Sequence, residues 1–233
     1  MKTLCVIQHI EAEYLGLMED HFESRSIRFH YVRPFVPGTL IPAGAEGYDG
    51  LVLLGAGPLG VVSGNLIPSL AAELRLAGAF LERDLPVIGI GVGAALLAVA
   101  AGGGADDAPL RFTVETATRC APDALAGHLP TIFPSCVFMR DRPVLPKGAA
   151  TLAAGAGGEP LVFRIGATSV GFLGHPGIKS GMVEDVIMAF DETPDDCAET
   201  LAALRAAQGD IAAALSEIMV GLVKLTGWMT PSH

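Results

Sequence analysis

The strongest constraint on this chain is a glycine-rich segment in which a short apolar run passes directly into a helix-forming run. The segment covers residues 85–97 and reads Leu-Pro-Val-Ile-Gly-Ile-Gly-Val-Gly-Ala-Ala-Leu-Leu. Glycine supplies backbone freedom at the turn, and the Ala–Leu run behind it has a high helix propensity. A strand that turns sharply into a helix is the place where many α/β enzymes carry a nucleophile. The residue at the apex of this predicted turn is Gly91, which has no side chain.

Apolar runs and helical periodicity alternate along the first hundred residues, which predicts strands joined by helices. The predicted strands cover residues 3–8, 28–32, 51–54 and 85–90. The predicted helices cover residues 14–24 and 69–85, and the apolar side of the second is marked by Leu70, Leu74, Leu76, Phe80 and Leu81. Consecutive units of this kind form an open, largely parallel α/β sheet with helices on both faces.

Beyond residue 104 the pattern changes to short apolar runs separated by Gly and Pro. These runs predict strands at residues 111–115, 131–138, 151–154, 161–165 and 169–173. Short strands with turn residues between them are typical of antiparallel pairing. We therefore expect a small antiparallel extension that returns to the main sheet near His175.

The last fifty residues have helical character. They predict C-terminal helices from about 194 to 226, the first over 194–207 and the second over 209–226, with Gly227 as the stop. The apolar face of the last helix either packs against the domain or, with Met219 and Trp228 near its end, contacts another subunit. Residues 1–233 are treated as one domain, because a single core can account for this length.

Charge and cysteine usage exclude several classes of function. The net charge of −10 and the isoelectric point near 4.9 argue against a nucleic-acid partner, because the few Lys and Arg residues form no basic stripe. The four cysteines have no metal-binding spacing, and no secretory signal is recognised, so we expect reduced thiols in a cytoplasmic protein. The uncharged run 85–105 is rich in Gly and Ala, which favours a buried strand and helix over a membrane span. Small molecules, a partner protein or a second copy of the chain remain as partners.

Three blocks of the sequence resemble the class I, triad-type glutamine amidotransferases, and in particular the amidotransferase domain of GMP synthase. The segment 89–95 is similar to the family's nucleophile elbow, Gly-Ile-Cys-Leu-Gly-x-Gln. The segment 47–59 is similar to the strand and Gly-Gly-Pro loop whose amides form the family's oxyanion hole. The segment 170–177 is similar to the strand that ends in His-Pro-Glu, which carries the catalytic base and its orienting carboxylate. The resemblance covers roughly residues 1 to 190 and implies a flavodoxin-like three-layer fold.

The chain departs from this family where the chemistry takes place. Gly91 stands at the position of the nucleophilic cysteine, Ala95 at that of the glutamine, and Gly177 at that of the triad acid, while His175 matches the base. Triad catalysis needs a nucleophile, a base and a group that orients the base. The resemblance therefore implies a degenerate triad and a pseudoenzyme that binds a small ligand or a partner enzyme. It also implies a former glutamine pocket lined by Gly55, Gly57, Pro58, Val92, Ala95, Cys136, Arg140 and Asp141.

Two other functions remain open at this point. The first is an enzyme of altered mechanism that uses His175 with Cys136 or a bound water. The second is a nucleotide or anion binder at the glycine-rich elbow, because residues 55–60 and 89–94 both fit dinucleotide-type glycine patterns. Neither pattern is followed by an acidic residue at the end of a strand about 20 residues later.

The first strand is followed by His9, Glu11 and Glu13, in a position where parallel sheets place ligand loops. Their spacing is not a metal signature, and we interpret them as part of a solvated loop. The sequence predicts no metal site and no cofactor.

Overall fold

The computed structural model describes residues 1–229, and its strands and helices follow the predicted alternation. The strands are β1 Thr3–Ile7, β2 Arg28–Val32, β3 Gly50–Leu53, β4 Val87–Ile90, β5 Gly104–Asp106, β6 Arg111–Arg119, β7 Ile132–Met139, β8 Arg142–Val144, β9 Ala150–Ala154, β10 Pro160–Ile165 and β11 Ser169–Phe172. The helices are α1 Met18–Glu23, α2 Leu70–Leu81, α3 Val92–Ala100, α4 Ser180–Ala189 and α5 Cys197–Thr226.

Nine strands form one mixed sheet in the order β2-β1-β3-β4-β11-β10-β9-β6-β7. The strands from β2 to β11 run parallel, and the pairs from β11 to β7 are antiparallel. Strands β5 and β8 form a separate antiparallel pair. Helices α2 and α3 pack together on one face, and α1 contacts α5 on the other. The predicted α/β fold class with an antiparallel extension is confirmed.

The C-terminal helices differ from the prediction, because residues 197–226 form the single continuous helix α5. Gly209 does not interrupt it. A glycine inside a helix costs about 1 kcal/mol relative to alanine, which is less than the packing of a long apolar face supplies. The buried residues Leu204, Ile211 and Leu215 follow one helical stripe across the glycine. The predicted stop at Gly227 is confirmed by its left-handed backbone, with φ of +69°.

The buried face of helix α2 agrees only in part with the predicted one, since Leu76 and Phe80 are buried as predicted. The buried residues are Glu73, Leu76, Ala77 and Phe80, which recur at the spacing of one helical stripe. The predicted markers Leu70, Leu74 and Leu81 lie at its edge and are only half-buried. The carboxylate of Glu73 therefore lies inside the apolar stripe of this helix, where it pairs with the buried side chain of His9.

Helix α5 closes one face of the sheet. Ile211, Leu215, Ile218 and Leu222 are buried along it, and Trp228 beyond its end packs edge-on against Phe22, with ring centroids 5.9 Å apart. The Trp228 indole N–H donates a hydrogen bond to the carbonyl oxygen of Asp49 (3.1 Å). By length and composition alone α5 would be apolar enough to cross a membrane, with a mean hydropathy of 1.3 over its most apolar window. Core helices also pass this test, and the buried stripe of α5 is of that kind.

We expect Trp228→Ala to lower the free energy of unfolding by roughly 3–5 kcal/mol, because it removes a fully packed aromatic side chain and leaves a cavity beside Phe22. Urea denaturation followed by far-ultraviolet circular dichroism measures this change. Met188→Ala is the matched control, since Met188 is 77% exposed and its truncation should stay within about 0.5 kcal/mol. A loss below about 1 kcal/mol for Trp228→Ala would show that α5 is not anchored here.

Candidate functional site

The predicted elbow is present between β4 and α3. Gly91 has φ of +57° and ψ of −125°, a backbone conformation that strains any residue with a side chain, and its N–H donates to the Phe172 carbonyl oxygen (2.8 Å). A Cβ at Gly91 would lie 3.5 Å from the Cα of Gly55 and 3.9 Å from the Phe138 carbonyl oxygen, which are ordinary contact distances. The apex therefore has room for a side chain that the sequence does not supply.

The first turn of α3 is part of the core. Val92 and Ala95, both predicted to line the pocket, are fully buried. Gly93 lies directly on β3, because a Cβ there would be 2.1 Å from the Leu53 carbonyl oxygen. This close approach leaves no open space at the start of the helix except at Gly91.

The loop after β3 approaches the elbow from the side. Its Gly57 N–H donates to the buried Glu13 carboxylate (2.5 Å), so the amide predicted for an oxyanion hole already has a partner. The same carboxylate packs directly against Gly55, because a Cβ at position 55 would lie 2.4 Å from Glu13 Oε1. The resemblance implies that Gly55 and Gly57 lie beside the elbow, and the structure places Gly55 there, because a Cβ on Gly91 would lie 3.5 Å from the Gly55 Cα. A Cβ on Gly57 would instead contact the side chains of Ile10 and Phe190. Glu13 fills the space beside Gly55 and Gly57.

Arg140 and Asp141 hold this loop in place. Arg140 Nε donates to the Pro58 carbonyl oxygen (3.1 Å), and its guanidinium forms an ion pair with Glu192. The Asp141 carboxylate accepts the Val61 N–H (2.7 Å), the neighbouring amides of the loop and the Ser63 hydroxyl. Burial opposes ionisation of Asp141, but these hydrogen bonds hold its pKa below the usual value. Both side chains are therefore engaged by protein groups.

His175 lies at the end of β11 with both ring nitrogens bound to backbone. Its Nε2–H donates to the Tyr14 carbonyl oxygen (2.7 Å), and its Nδ1 accepts the N–H of Gly177 (3.0 Å). Burial lowers the pKa of His175 to about 4, although the hydrogen bond to Tyr14 acts in the opposite direction. The ring is therefore neutral at physiological pH, and no nitrogen is free to accept a proton from a nucleophile.

The position that the resemblance assigns to the triad acid, Gly177, is closed by packing. A Cβ on Gly177 would lie 2.8 Å from Met18 Cγ and 2.9 Å from the Leu15 carbonyl oxygen. On the other side of the contact, a Cβ on Gly16 would lie 2.2 Å from the Gly177 carbonyl oxygen, and the Leu17 N–H donates to that oxygen (2.8 Å). Segment 15–18 thus covers the site where a carboxylate side chain at 177 would begin.

Cys136 is a core residue of β7. It is buried with Phe112 and Phe138, and its carbonyl oxygen accepts the backbone N–H of His175 (3.0 Å). Burial, with a smaller contribution from Glu13, raises the pKa of the Cys136 thiol to about 12. A protonated thiol is a poor nucleophile, because the thiolate is the reactive species.

The interpretation of residues 9–13 as a solvated loop is wrong for two of its three members. His9 and Glu13 are buried, and only Glu11 is exposed. His9 contacts the Gly55 carbonyl oxygen through Nδ1 (3.1 Å) and the Glu73 carboxylate through Nε2 (2.6 Å). Burial alone would lower the pKa of His9, but the carboxylate of Glu73 raises it above the ordinary value.

Sequence reasoning missed this buried cluster because its second half lies 64 residues away on α2. A charged residue inside the apolar stripe of a helix is the one sequence signal for it, since an unpaired carboxylate would not be tolerated there. Among residues 1–229, no group of three or more His, Cys, Asp and Glu side chains is arranged to hold a metal ion.

The fold is that of the glutamine amidotransferases. A glutamine amidotransferase from Thermotoga maritima superposes with a TM-score of 0.80 at 22% identity, over 96% of this chain and 98% of that chain. One from Methylobacillus flagellatus gives 0.82 at 20% identity, over 97% and 96%. A Thermoplasma acidophilum protein that is assigned to GMP synthase as one of its subunits gives 0.60 at 18% identity, over 90% and 98%. No protein-family model and no curated protein sequence matches the chain.

We expect Glu13→Gln to remove a pH dependence of stability. Burial raises the pKa of Glu13 to about 7 from a model-compound value of 4.5, against the opposing effects of the Gly57 N–H and His9. Between these pH values the folded protein retains a proton that the unfolded chain releases, so the wild-type free energy of unfolding falls as pH rises through this window. Glu13→Gln does not lose stability in this way. The difference in the free energy of unfolding between the wild type and Glu13→Gln should therefore change by roughly 3 kcal/mol across this pH window.

Urea denaturation at several pH values between about 4 and 8 measures this difference. Glu11→Gln is the matched control, because Glu11 is exposed two residues away and should leave the wild-type profile unchanged. Parallel profiles for the wild type and Glu13→Gln would contradict a buried, protonated Glu13.

We expect the His175 ring to remain neutral from about pH 5 to 8, with its proton on Nε2. Long-range proton–nitrogen correlation spectra distinguish the two tautomers and the doubly protonated ring. The signal is assigned from its absence in His175→Gln. A protonation midpoint near the ordinary value of 6.5 would show that the two backbone hydrogen bonds do not persist in solution.

Proposed function

We propose that this protein is a glutamine amidotransferase-fold domain without glutaminase activity, which acts by binding a small ligand or a partner enzyme. In this account Gly91 and Gly177 are the lost nucleophile and the lost acid of a triad, and His175 is its retained but inactive base. The protein is expected to work in the cytoplasm, with no nucleic-acid or membrane partner.

The closed acid position carries the proposal. The elbow retains its backbone shape and its space, so the absence of a nucleophile could in principle be reversed by one substitution. Position 177 is different, because segment 15–18 occupies the volume that a larger side chain would need. The orienting carboxylate therefore has no place in this packing, and the Gly177 N–H has taken over the Nδ1 nitrogen of His175.

The remaining groups do not replace the missing chemistry. His175 has no free nitrogen, and the Cys136 thiol is buried and protonated, which argues against an altered mechanism based on these two residues. Without a covalent nucleophile, an oxyanion hole and substrate binding alone give about 10³ to 10⁴ over water in well-studied triad enzymes. Here even the Gly57 amide is bound by Glu13.

A role beside a partner enzyme is supported by one structural neighbour. The similar protein from Thermoplasma acidophilum is assigned to GMP synthase as one of its subunits, so this fold occurs as a separate chain that is named as part of a larger enzyme. A nucleotide or anion site at the elbow receives less support, because the start of α3 is packed directly on β3.

We expect neither the wild type nor Gly91→Cys to release ammonia from glutamine above background. The new thiol would stand at the apex without a base that can accept its proton, because His175 is held by Tyr14 and Gly177. Ammonia release is measured together with covalent labelling by a diazoketone analogue of glutamine, which reports a reactive thiol in a glutamine pocket. Gly91→Ser is the matched control, since it adds a side chain of similar size at the same strained position without a thiol.

Two results would overturn the proposal. The first is wild-type turnover that disappears in His175→Ala, which would reveal an unrecognised nucleophile. The second is glutamine turnover or diazoketone labelling that appears in Gly91→Cys but not in Gly91→Ser, which would show that the triad lacks only its thiol.

A further inference from the structure

A second site lies above the carboxyl ends of β1, β2 and β3, and His9 is among the residues that line it. It is a cleft of about 610 Å³, within the range of small-molecule pockets, which is about 300–1,000 Å³. Its walls are formed mainly by apolar side chains, among them Phe35, Leu40, Ile41, Ile67 and Phe190.

The topology of the sheet accounts for a cleft at this place. From β1 the chain moves outward to β2, and it then returns to place β3 on the opposite side of β1. The loops that leave neighbouring strands therefore diverge between β1 and β3. In open α/β sheets this switch point, outside the carboxyl ends of the strands, is where ligands bind.

The mouth of the cleft carries apolar surface that the fold itself does not cover. Leu40 is 85% exposed and Phe35 is 41% exposed, and both line the cleft. Exposed apolar side chains grouped around a concave surface are a mark of ligand sites, whereas scattered ones need no explanation.

The floor of the cleft is polar and fixed. His9 lies there, and its ion pair with Glu73 is almost fully buried, with side-chain exposures of 1% and 0%. The Ser69 hydroxyl donates to the other oxygen of Glu73 (2.5 Å). Burying such a pair costs several kcal/mol of desolvation, so it is retained where it positions something. Here it positions Ser69, which also lines the cleft.

The direction of these hydrogen bonds determines what a ligand can offer. The Ser69 hydroxyl donates its single proton to Glu73, so toward a ligand it can act only as a hydrogen-bond acceptor. Both nitrogens of His9 are bound to Gly55 and Glu73. Within residues 1–229, the side chains that line the cleft include no Lys, no Arg and no carboxylate, and the charge of His9 is already neutralised by Glu73, so a charged ligand would find no free counter-ion among them.

We propose that this cleft binds a neutral, largely apolar small molecule that carries a hydrogen-bond donor, such as an aromatic amine, a phenol or a long-chain alcohol. The apolar body lies between Phe35, Leu40 and Phe190, and the donor group points to the Ser69 oxygen. The site is separate from the elbow, so this proposal holds or fails independently of glutaminase activity.

The test uses two fluorescent probes that differ by one charge. N-phenyl-1-naphthylamine is neutral and has a single N–H donor, and 1-anilinonaphthalene-8-sulfonate has the same ring system with an added sulfonate. Titration of the folded wild-type protein should give saturable binding of the neutral probe with one site per chain. Binding of the sulfonate should be at least about tenfold weaker, because His9 in the lining is already paired with Glu73 and no Lys or Arg lines the cleft.

Two pairs of variants locate the binding. Ala72→Phe places a ring into the cleft and should weaken binding of the neutral probe at least about tenfold, whereas Ala71→Phe adds the same ring at an exposed position of the same helix and should have no effect. Leu40→Ser should weaken binding severalfold with little risk to folding, and Met188→Ser, another highly exposed apolar residue outside the cleft, is its control.

Circular dichroism verifies that each variant is folded. Three results would each overturn the proposal. The first is the absence of saturable binding of the neutral probe by the wild type, and the second is binding of the sulfonate that is as tight as that of the neutral probe or tighter. The third result is that Ala72→Phe and Leu40→Ser bind the neutral probe as tightly as the wild type does. A wild-type dimer that Leu40→Ser dissociates, without binding of the neutral probe, would also overturn it by assigning the cleft to a second copy of the chain.

Discussion

The hydrogen bonds that His9 and Glu13 make to the loop after β3 connect this loop to the end of β1 and to helix α2, at the carboxyl edge of the sheet. His9 contacts the Gly55 carbonyl oxygen, and Glu13 accepts a hydrogen bond from the Gly57 N–H. Through Glu73 the same cluster reaches α2, and through the packing of Glu13 on Gly55 it reaches the side of the elbow. Removing one member would leave a buried charge or a buried amide without a partner, which is far more costly than losing a surface ion pair. The same cluster therefore contacts both the loop beside the elbow and the apolar cleft.

The sequence predicts the framework well, because the signals for it are local. The strand, the turn and the helix around Gly91 follow from neighbouring residues, and the alternation of strands and helices is enough to predict the parallel half of the sheet. The sequence does not predict how distant segments meet. Nothing near Gly177 indicates that residues 15–18 close over it, and nothing near His9 indicates that Glu73 is its partner. The continuity of α5 through Gly209 is likewise decided by packing on the sheet rather than by helix propensity.

The two glycines that the family resemblance assigns to the nucleophile and the acid, Gly91 and Gly177, differ physically. At Gly91 the backbone keeps the strained conformation of a nucleophile elbow around an empty volume, while at Gly177 the volume is filled by the main chain of another segment. A strained turn persists only when its surroundings determine it, and here the tight packing of α3 on β3 does so. The shape of the elbow is thus maintained by the packing of the core.

The docking of Trp228 at the start of β3 has a consequence for how the protein is made. The indole N–H binds the carbonyl oxygen of Asp49, 179 residues earlier in the chain. At synthesis rates of about 5–20 residues per second, roughly 10 to 35 s pass between the synthesis of this end of β3 and the synthesis of Trp228, which covers it. Phe22 lies still earlier in the chain and waits at least as long for the same ring. The nascent chain therefore exposes apolar surface around Phe22 until α5 and Trp228 have been synthesised, and chaperones that bind such surface would act on it in that interval.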